Sequence, residues 1–587
     1  MSLKKFITAV ITFIVLILIM VGIGTVVWHL IRPQFDNLRN RDNHDVIPFH
    51  DHFDLDPDIP HIILEGRRIR DTDINQPLVH NGIAYLPVCF IREFIDPFMF
   101  WDTGAQTLFV TTRHEMRAYR HGDIRVADGV PFVPADLVMG LYPFTVSYHP
   151  KYNMIVVTDD RQPQTTAAIT TLTPVRYRPD PQAPITVNLN PGDQITVFWD
   201  ANDGPDRFWT RVRTGNGLLG YVQTSLLGAT ESRSNAAART SVLGDFIDNL
   251  QPRTPNWTGG KINLVWENPY TVAASVTNMQ TPLHESLTVV SPTWFRFNAE
   301  TRELDSVANA EYVQWAHEQG IQVWPNVTDT SAHPGITDIL SDAAARRRVI
   351  EQLVHYVDTL GLDGLCINIE SIIHFRYGPY FVQFMRELNI ALGHRIPIMA
   401  AMKPDISINP HYRHDLIALT VDFIALMAYN EHTMMTPGPV ASLPWVRRRI
   451  EETLHLVPAN QLILGVHFYN RVWRTAVSDN SWRPSAHWGM DRAVTDFYRH
   501  GVSWEEDAVI PWEWDPVVGS YYAEFAAVVD GETLRHQLWL ECERSVAEKM
   551  RLFTEYDLAG IAGWSNEFTN QAVWDLIGRY FGWIPQE

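Results

Sequence analysis

The nine residues from Leu362 to Glu370 read Leu-Asp-Gly-Leu-Cys-Ile-Asn-Ile-Glu. They form a short apolar run that opens on Asp-Gly and closes on a carboxylic acid. Side chains on a strand alternate between faces, so Cys366, Asn368 and Glu370 point the same way. Polar groups aligned at the end of a buried strand are unfavourable unless a site uses them. Proton transfer is the chemistry a carboxylic acid offers in such a place. Two more apolar runs end on residues of interest, Met427-Ala-Tyr429-Asn430-Glu431-His432 and Gly560-Ile-Ala-Gly-Trp564.

Together these segments resemble glycoside hydrolase family 18, the chitinase-like hydrolases of N-acetylglucosamine polymers. Asp363 and Glu370 match the first and last positions of that family's D-x-x-D-x-D-x-E signature, with Cys366 and Asn368 between them. The segment at 427–430 is similar to the family's Met-x-Tyr-Asp motif, with Asn430 in place of Asp. More narrowly, Val290-Ser-Pro-Thr-Trp-Phe295, Gly438-Pro-Val-Ala-Ser-Leu-Pro-Trp445, Leu538-Trp-Leu-Glu-Cys-Glu-Arg-Ser545 and Gly560–Trp564 resemble the spore-type and cell-surface subgroup that cuts peptidoglycan. The likeness runs from about 260 to 584.

The resemblance implies substrate-assisted hydrolysis, an exception to the two-carboxylate scheme of most glycosidases. The sugar's own N-acetyl oxygen attacks the anomeric carbon while Glu370 protonates the leaving oxygen. Tyr429 would hold the N-acetyl carbonyl, and Trp564 would form the floor under the distorted sugar. Asn368 stands where an Asp usually polarises the acetamide N–H and stabilises the oxazolinium. Its carbonyl can accept that N–H, but it carries no charge, and losing such a term commonly slows a reaction by ~10²–10³. Asn430, Trp266, Trp294 and Met427 complete the expected substrate-binding set. A relative that binds wall glycan without cleaving it is the alternative.

Plainer readings accompany these. Asp363 fits a turn before the strand, Cys366 fits packing, and Glu431 and His432 fit either loop or pocket. Three cysteines, Cys89, Cys366 and Cys542, match neither a zinc site nor a disulfide framework. No cofactor and no metal is expected. Of the 20 tryptophans fifteen follow residue 258, where some could stack on sugar rings while most fill a core.

Positioning such residues requires a scaffold. From residue 259 apolar strands begin near Ile262, Leu287, Ile321, Leu365, Ile396, Val421, Leu462 and Gly560, with amphipathic stretches between them such as Ala344 to Leu360, Tyr380 to Leu392 and Trp445 to Leu456. Eight such units in 259–587 predict a (β/α)8 TIM barrel, whose chemistry sits at the C-terminal ends of the strands. The stretch from about Tyr469 to Tyr556 is too long for one crossover and reads as an inserted hairpin region before the last strand, able to wall a cleft.

Two small β-rich modules precede the barrel. Residues 61–162 look like the stalk-type domain named after the N-terminal domain of copper amine oxidases, and nothing in them suggests copper. Residues 168–228, with Thr173-Pro-Val-Arg176, a Pro191-Gly192-Asp193 turn and Gly217-Leu-Leu-Gly-Tyr-Val222, resemble a bacterial SH3-like domain, which could bind wall peptide or glycan or merely pack. Linkers are expected at 34–60 and 229–258. Residues 1–33 read as a cytoplasmic tip and an uncleaved signal anchor, its apolar run from Phe6 to Ile31 long enough to span a bilayer. A net charge of -20 argues against nucleic acid as a partner. The expected partners are a cell-wall glycan and the membrane, with the C-terminal domains outside the cytoplasm.

Overall fold

The computed structural model describes residues 55–582, apart from 57, 71–74, 162–163, 199–207, 216, 234–245, 330–334, 373, 434–435 and 497–511. The expected membrane anchor and most of the 34–60 linker lie outside the described residues. Among the described residues no helix is long and apolar enough to cross a membrane. The chain divides into two compact units, residues up to 91 with 123–244, and 92–122 with 245–587.

In the first unit His61–Leu64 runs parallel to Met154–Asp159, and Phe144–His149 pairs with the latter antiparallel. The alternation of Ile63, Met154 and Val156 buries one face against Leu218 and Leu219. Seven strands between Gln164 and Arg233 form one curled antiparallel sheet around Val175, Ile195, Val197, Val212 and Val222. Gly220 is required there, because a Cβ would lie 2.4 Å from the Val175 side chain.

The second unit is a closed barrel. Its strands are β1 (Ile262–Glu267), β2 (Val289–Asn298), β3 (Asn326–Asp329), β4 (Leu365–Asn368), β5 (Ile398–Met402), β6 (Phe423–Met427), β7 (Leu462–His467) and β8 (Gly560–Trp564). All eight run parallel in sequential order, and β1 pairs with both β2 and β8 to close the ring. The strands read as continuous apolar runs because parallel sheets are covered on both faces. Every expected start but that of β3 falls within about two residues of the observed one. β3 is interrupted at Trp324-Pro325, because proline has no N–H to donate.

Helices Ala343–Leu360, Gly378–Leu392 and Leu443–Leu454 cover the barrel. The first shows why it starts and stops where it does. Asp342 accepts from the amides of Ala344 and Ala345, and Gly361 closes the end at φ 66°. Between β7 and β8 the insertion is a five-stranded antiparallel sheet, larger than the hairpin expected from sequence.

Residues 92–122, expected to belong wholly to the stalk-like module, pack with the barrel. Arg346, fully buried, pairs with Asp102 at 3.2 Å and Glu387 at 3.1 Å. The Arg386 guanidinium lies 3.7 Å from the Phe98 ring centre and donates to Thr111. The end of the expected second linker is also anchored, through an Arg253–Asp422 pair at 3.1 Å. Arg346 and Arg386 on the barrel helices and Arg253 on the linker supply these attachments, which apolar periodicity does not reveal.

Candidate active site

β4 delivers its polar residues to the barrel mouth as alternation requires. Cys366 is fully buried, with Trp266 and Ser291 against its sulfur, and burial pushes its thiol up to about 12. It therefore packs as a neutral group. Asn368 is 4% exposed; its Nδ2 donates to Glu370 Oε1 at 3.3 Å, and its Oδ1 is buried with no hydrogen-bond partner among the described residues. Glu370, just past the strand, is an exposed residue. Protein packed around its carboxyl raises its pKa above the ordinary value, Lys403 and Asn368 oppose that, and Asp329 adds to it. Among the described residues no Arg or Lys forms an ion pair with the Glu370 carboxylate. Asp363 lies at the opposite end of β4, accepting from the Val323 amide at 2.9 Å and facing His317 at 2.7 Å. Its role is to join β3 and β4 at the base.

Tyr429 follows β6 and is nearly buried. Burial raises its phenol, and the nearby Glu370, Tyr469 and Cys366 add to the effect, so the tyrosine and the acid share one space. Asn430 sits in the left-handed region at φ 66°, which Asn tolerates better than most residues. Its Oδ1 accepts from the Tyr469 hydroxyl at 2.6 Å and from Arg471 Nη2 at 3.0 Å. Asn430 thus ties β6 to the insertion. Glu431 accepts from the Ser442 amide at 2.7 Å, and the His432 carbonyl accepts from Arg471, so both serve the same loop.

Trp564 ends β8 half-buried, with its ring centre 5.9 Å from that of Trp266, and the Trp564–Ser565 peptide is cis. Trp266, also expected to bind substrate, is 1% exposed and packs against Trp564 instead of offering an open face. Met427 is buried in β6, next to β7. Trp294 departs from the expectation in the same way. It is fully buried, its Nε1 donates to Ser275 at 3.3 Å, and its ring meets Tyr312 edge-on, so it offers no face to a ligand.

Three contributors went unread in the sequence. Asp329 at the end of β3 accepts from the amides of Glu370 and Ser371. Lys403, just past β5, donates to the Glu370 carbonyl at 2.8 Å. Glu267, 2% exposed at the end of β1, accepts from Tyr312, Asn278 and Asn566, each at 2.8 Å. The last of these bonds fixes the turn that follows Trp564. None of the three has a local sequence signal, since all but one of their partners, Asn278, lie far along the chain.

A barrel with a carboxylic acid beside an amide at the end of β4, a tyrosine after β6 and a tryptophan ending β8 is matched by the family model for glycosyl hydrolases family 18 over residues 270–568, just over half of the chain. The chain belongs to glycosyl hydrolases family 18. A bacterial SH3 domain matches residues 171–228. The curated relatives it is similar to include the cortical fragment-lytic enzyme of Bacillus subtilis, 27% identical over 257 residues that cover 42% of this chain and 56% of that enzyme. Mouse chitotriosidase-1 is 25% identical over 206 residues, 29% of this chain and 44% of its own. The chain spans about half the length of most of the curated relatives it matches. Among solved structures, the Bacillus cereus spore cortex-lytic enzyme SleL superposes with a TM-score of 0.47 at 18% identity, covering 57% of this chain and 75% of that one.

Proposed function

We propose that this family 18 member hydrolyses polymers of N-acetylhexosamine by substrate-assisted catalysis, with Glu370 as the acid. One observation carries the reading: Asn368 turns its Nδ2 to Glu370 and leaves a buried Oδ1 without a partner among the described residues. A buried acceptor with no donor is unfavourable by roughly 1–3 kcal/mol, and the acetamide N–H of a bound sugar would satisfy it. That bond aims the acetamide oxygen at the anomeric carbon. As the C–O bond to the leaving sugar breaks, the Glu370 proton passes to the departing oxygen. The resulting carboxylate, with Asn368 Nδ2 donating to it, then takes a proton from the water that opens the oxazolinium. In this reading Tyr429 holds the acetamide carbonyl and Trp564 forms the floor under the sugar ring.

Peptidoglycan is the favoured substrate, supported by relatives whose names carry cortex lysis and by the SH3 module, which would hold the enzyme on the wall. Anchoring through residues 6–31 with the domains outside the cytoplasm completes the proposal. Binding without cleavage is the second reading, favoured by the neutral side chains at 368 and 430. The deciding experiment incubates the full chain and Glu370→Gln with purified peptidoglycan and with N-acetylglucosamine oligomers. New reducing ends that vanish in the variant support hydrolysis. Retention on the polymer without release, in both proteins, refutes it in favour of binding.

A further inference from the structure

β4 ends at Asn368, so the peptides of residues 369–372 leave the barrel with no ladder to complete their hydrogen bonds. Side chains from neighbouring elements take that role. Asp329 Oδ1 accepts from the Glu370 amide at 3.0 Å and Asp329 Oδ2 from the Ser371 amide at 2.7 Å. Lys403 Nζ donates to the Glu370 carbonyl at 2.8 Å, and His411 Nε2 to the Ile372 carbonyl at 2.6 Å. The acid's own peptide is therefore gripped on its amide side by an anion from β3 and on its carbonyl side by a cation from beyond β5. Bonds of this kind, with one partner ionised, are about twice as strong as neutral ones. Cys366 and Asn368 add no charge, so among the described residues the fixed charges acting on the acid come from these two neighbours.

We propose that Asp329 and Lys403 are a pair of positioning residues that hold Glu370 in its working place and set the charge around it, an inference that rests on Glu370 being the acid. The groups facing that carboxyl are Asn368 on its own strand, Asp329 from β3, Lys403 and Tyr412 from beyond β5, and Tyr429 from beyond β6. Asp329 favours the protonated acid and Lys403 the carboxylate, so the two work in opposite senses.

The test compares Asp329→Asn, Lys403→Met and Lys403→Arg with the unaltered full chain. The side-chain amide introduced by Asp329→Asn would offer one acceptor oxygen where two backbone amides need one each. A displacement of the acid by about 1 Å lowers turnover about 100-fold, so kcat on N-acetylglucosamine oligomers falls by up to that factor in Asp329→Asn while KM holds. The basic limb of kcat/KM moves to lower pH in Asp329→Asn, to higher pH in Lys403→Met, and stays in place in Lys403→Arg. A merely structural role would not move the limb in opposite directions. The same titration is read without turnover from glutamate 13Cδ resonances of the full chain, the Glu370 signal being the one lost in Glu370→Gln. Absence of hydrolysis by the unaltered chain would refute the proposed function alone. Unchanged or same-direction titration of Glu370 in the two charge-removing variants would overturn the positioning pair. Should Asp329→Asn fail to fold, the Lys403 variants decide: a Glu370 titration unmoved in Lys403→Met overturns the pair, and an upward move restored by Lys403→Arg upholds it.

Discussion

Replacing Asn368 by Asp is the most informative single change, because the position is 4% exposed and its nitrogen lies 3.3 Å from the acid. The substitution exchanges a donor to Glu370 for a second carboxylate. Two carboxylates at that separation cannot both ionise readily, so the pair shares a proton and Glu370 is protonated at higher pH. The new charge also faces the acetamide N–H and the oxazolinium that forms from it. A preorganised charge of this kind is worth ~10²–10³ in turnover, and loss of the Asn368 bond to the product carboxylate subtracts from that gain. An increase in kcat of about 10-fold or more is therefore expected, with the basic limb of the pH profile moved upward. The assay is release of reducing ends from N-acetylglucosamine oligomers between about pH 4 and 9, with thermal unfolding alongside. A folded Asn368→Asp protein with unchanged or lower kcat would refute the view that the missing charge limits catalysis here.

Other expectations follow from single contacts. Glu541 is buried between Lys549, 2.8 Å away, and His467, 3.2 Å away. Burial opposes its ionisation, yet Lys549 and then His467 hold its carboxyl down at about 2. Because the folded pKa is depressed, the stabilisation is complete above the unfolded value of ~4.3 and is lost as pH falls towards about 2. Glu541→Gln is expected to lower stability at pH 7 by about 3–5 kcal/mol by leaving Lys549 buried and unpaired, a deficit that shrinks on acidification; a pH-independent loss in urea unfolding would contradict this. Trp294→Ala is expected to lose about 3–5 kcal/mol of stability through a core cavity, whereas Trp564→Ala should raise KM with far less loss of stability. Equal effects on KM from the two tryptophans would return Trp294 to the cleft.

The strand and helix pattern from 259 onward was legible because apolar runs and 3.6-residue periodicity are local. The alternation on β4 likewise placed Cys366, Asn368 and Glu370 on one face without coordinates. Trp294 shows the limit. An aromatic on an apolar strand fits core and sugar platform equally well, and only the packing of Tyr312 and Ser275 around it assigns it to the core. Asp329, Lys403 and Glu267 were unreadable for a related reason, since a carboxylate or an amine carries no mark of a distant partner such as Glu370, 33 residues from Lys403, or Asn566, 299 from Glu267. The attachment of residues 92–122 to the barrel was hidden in the same way, in buried pairs such as Arg346 with Asp102.

By itself the sequence determined that eight alternating units close into a barrel and that β4 carries one carboxylic acid to its mouth, because backbone geometry and burial act residue by residue along the chain. Only the tertiary structure decided which charges surround that acid, which tryptophan lies in the core and which at the rim, and which segments of the earlier modules pack with the barrel. Those outcomes depend on distances of about 3 Å between residues from different strands, and such distances exist only once the ring of strands has closed.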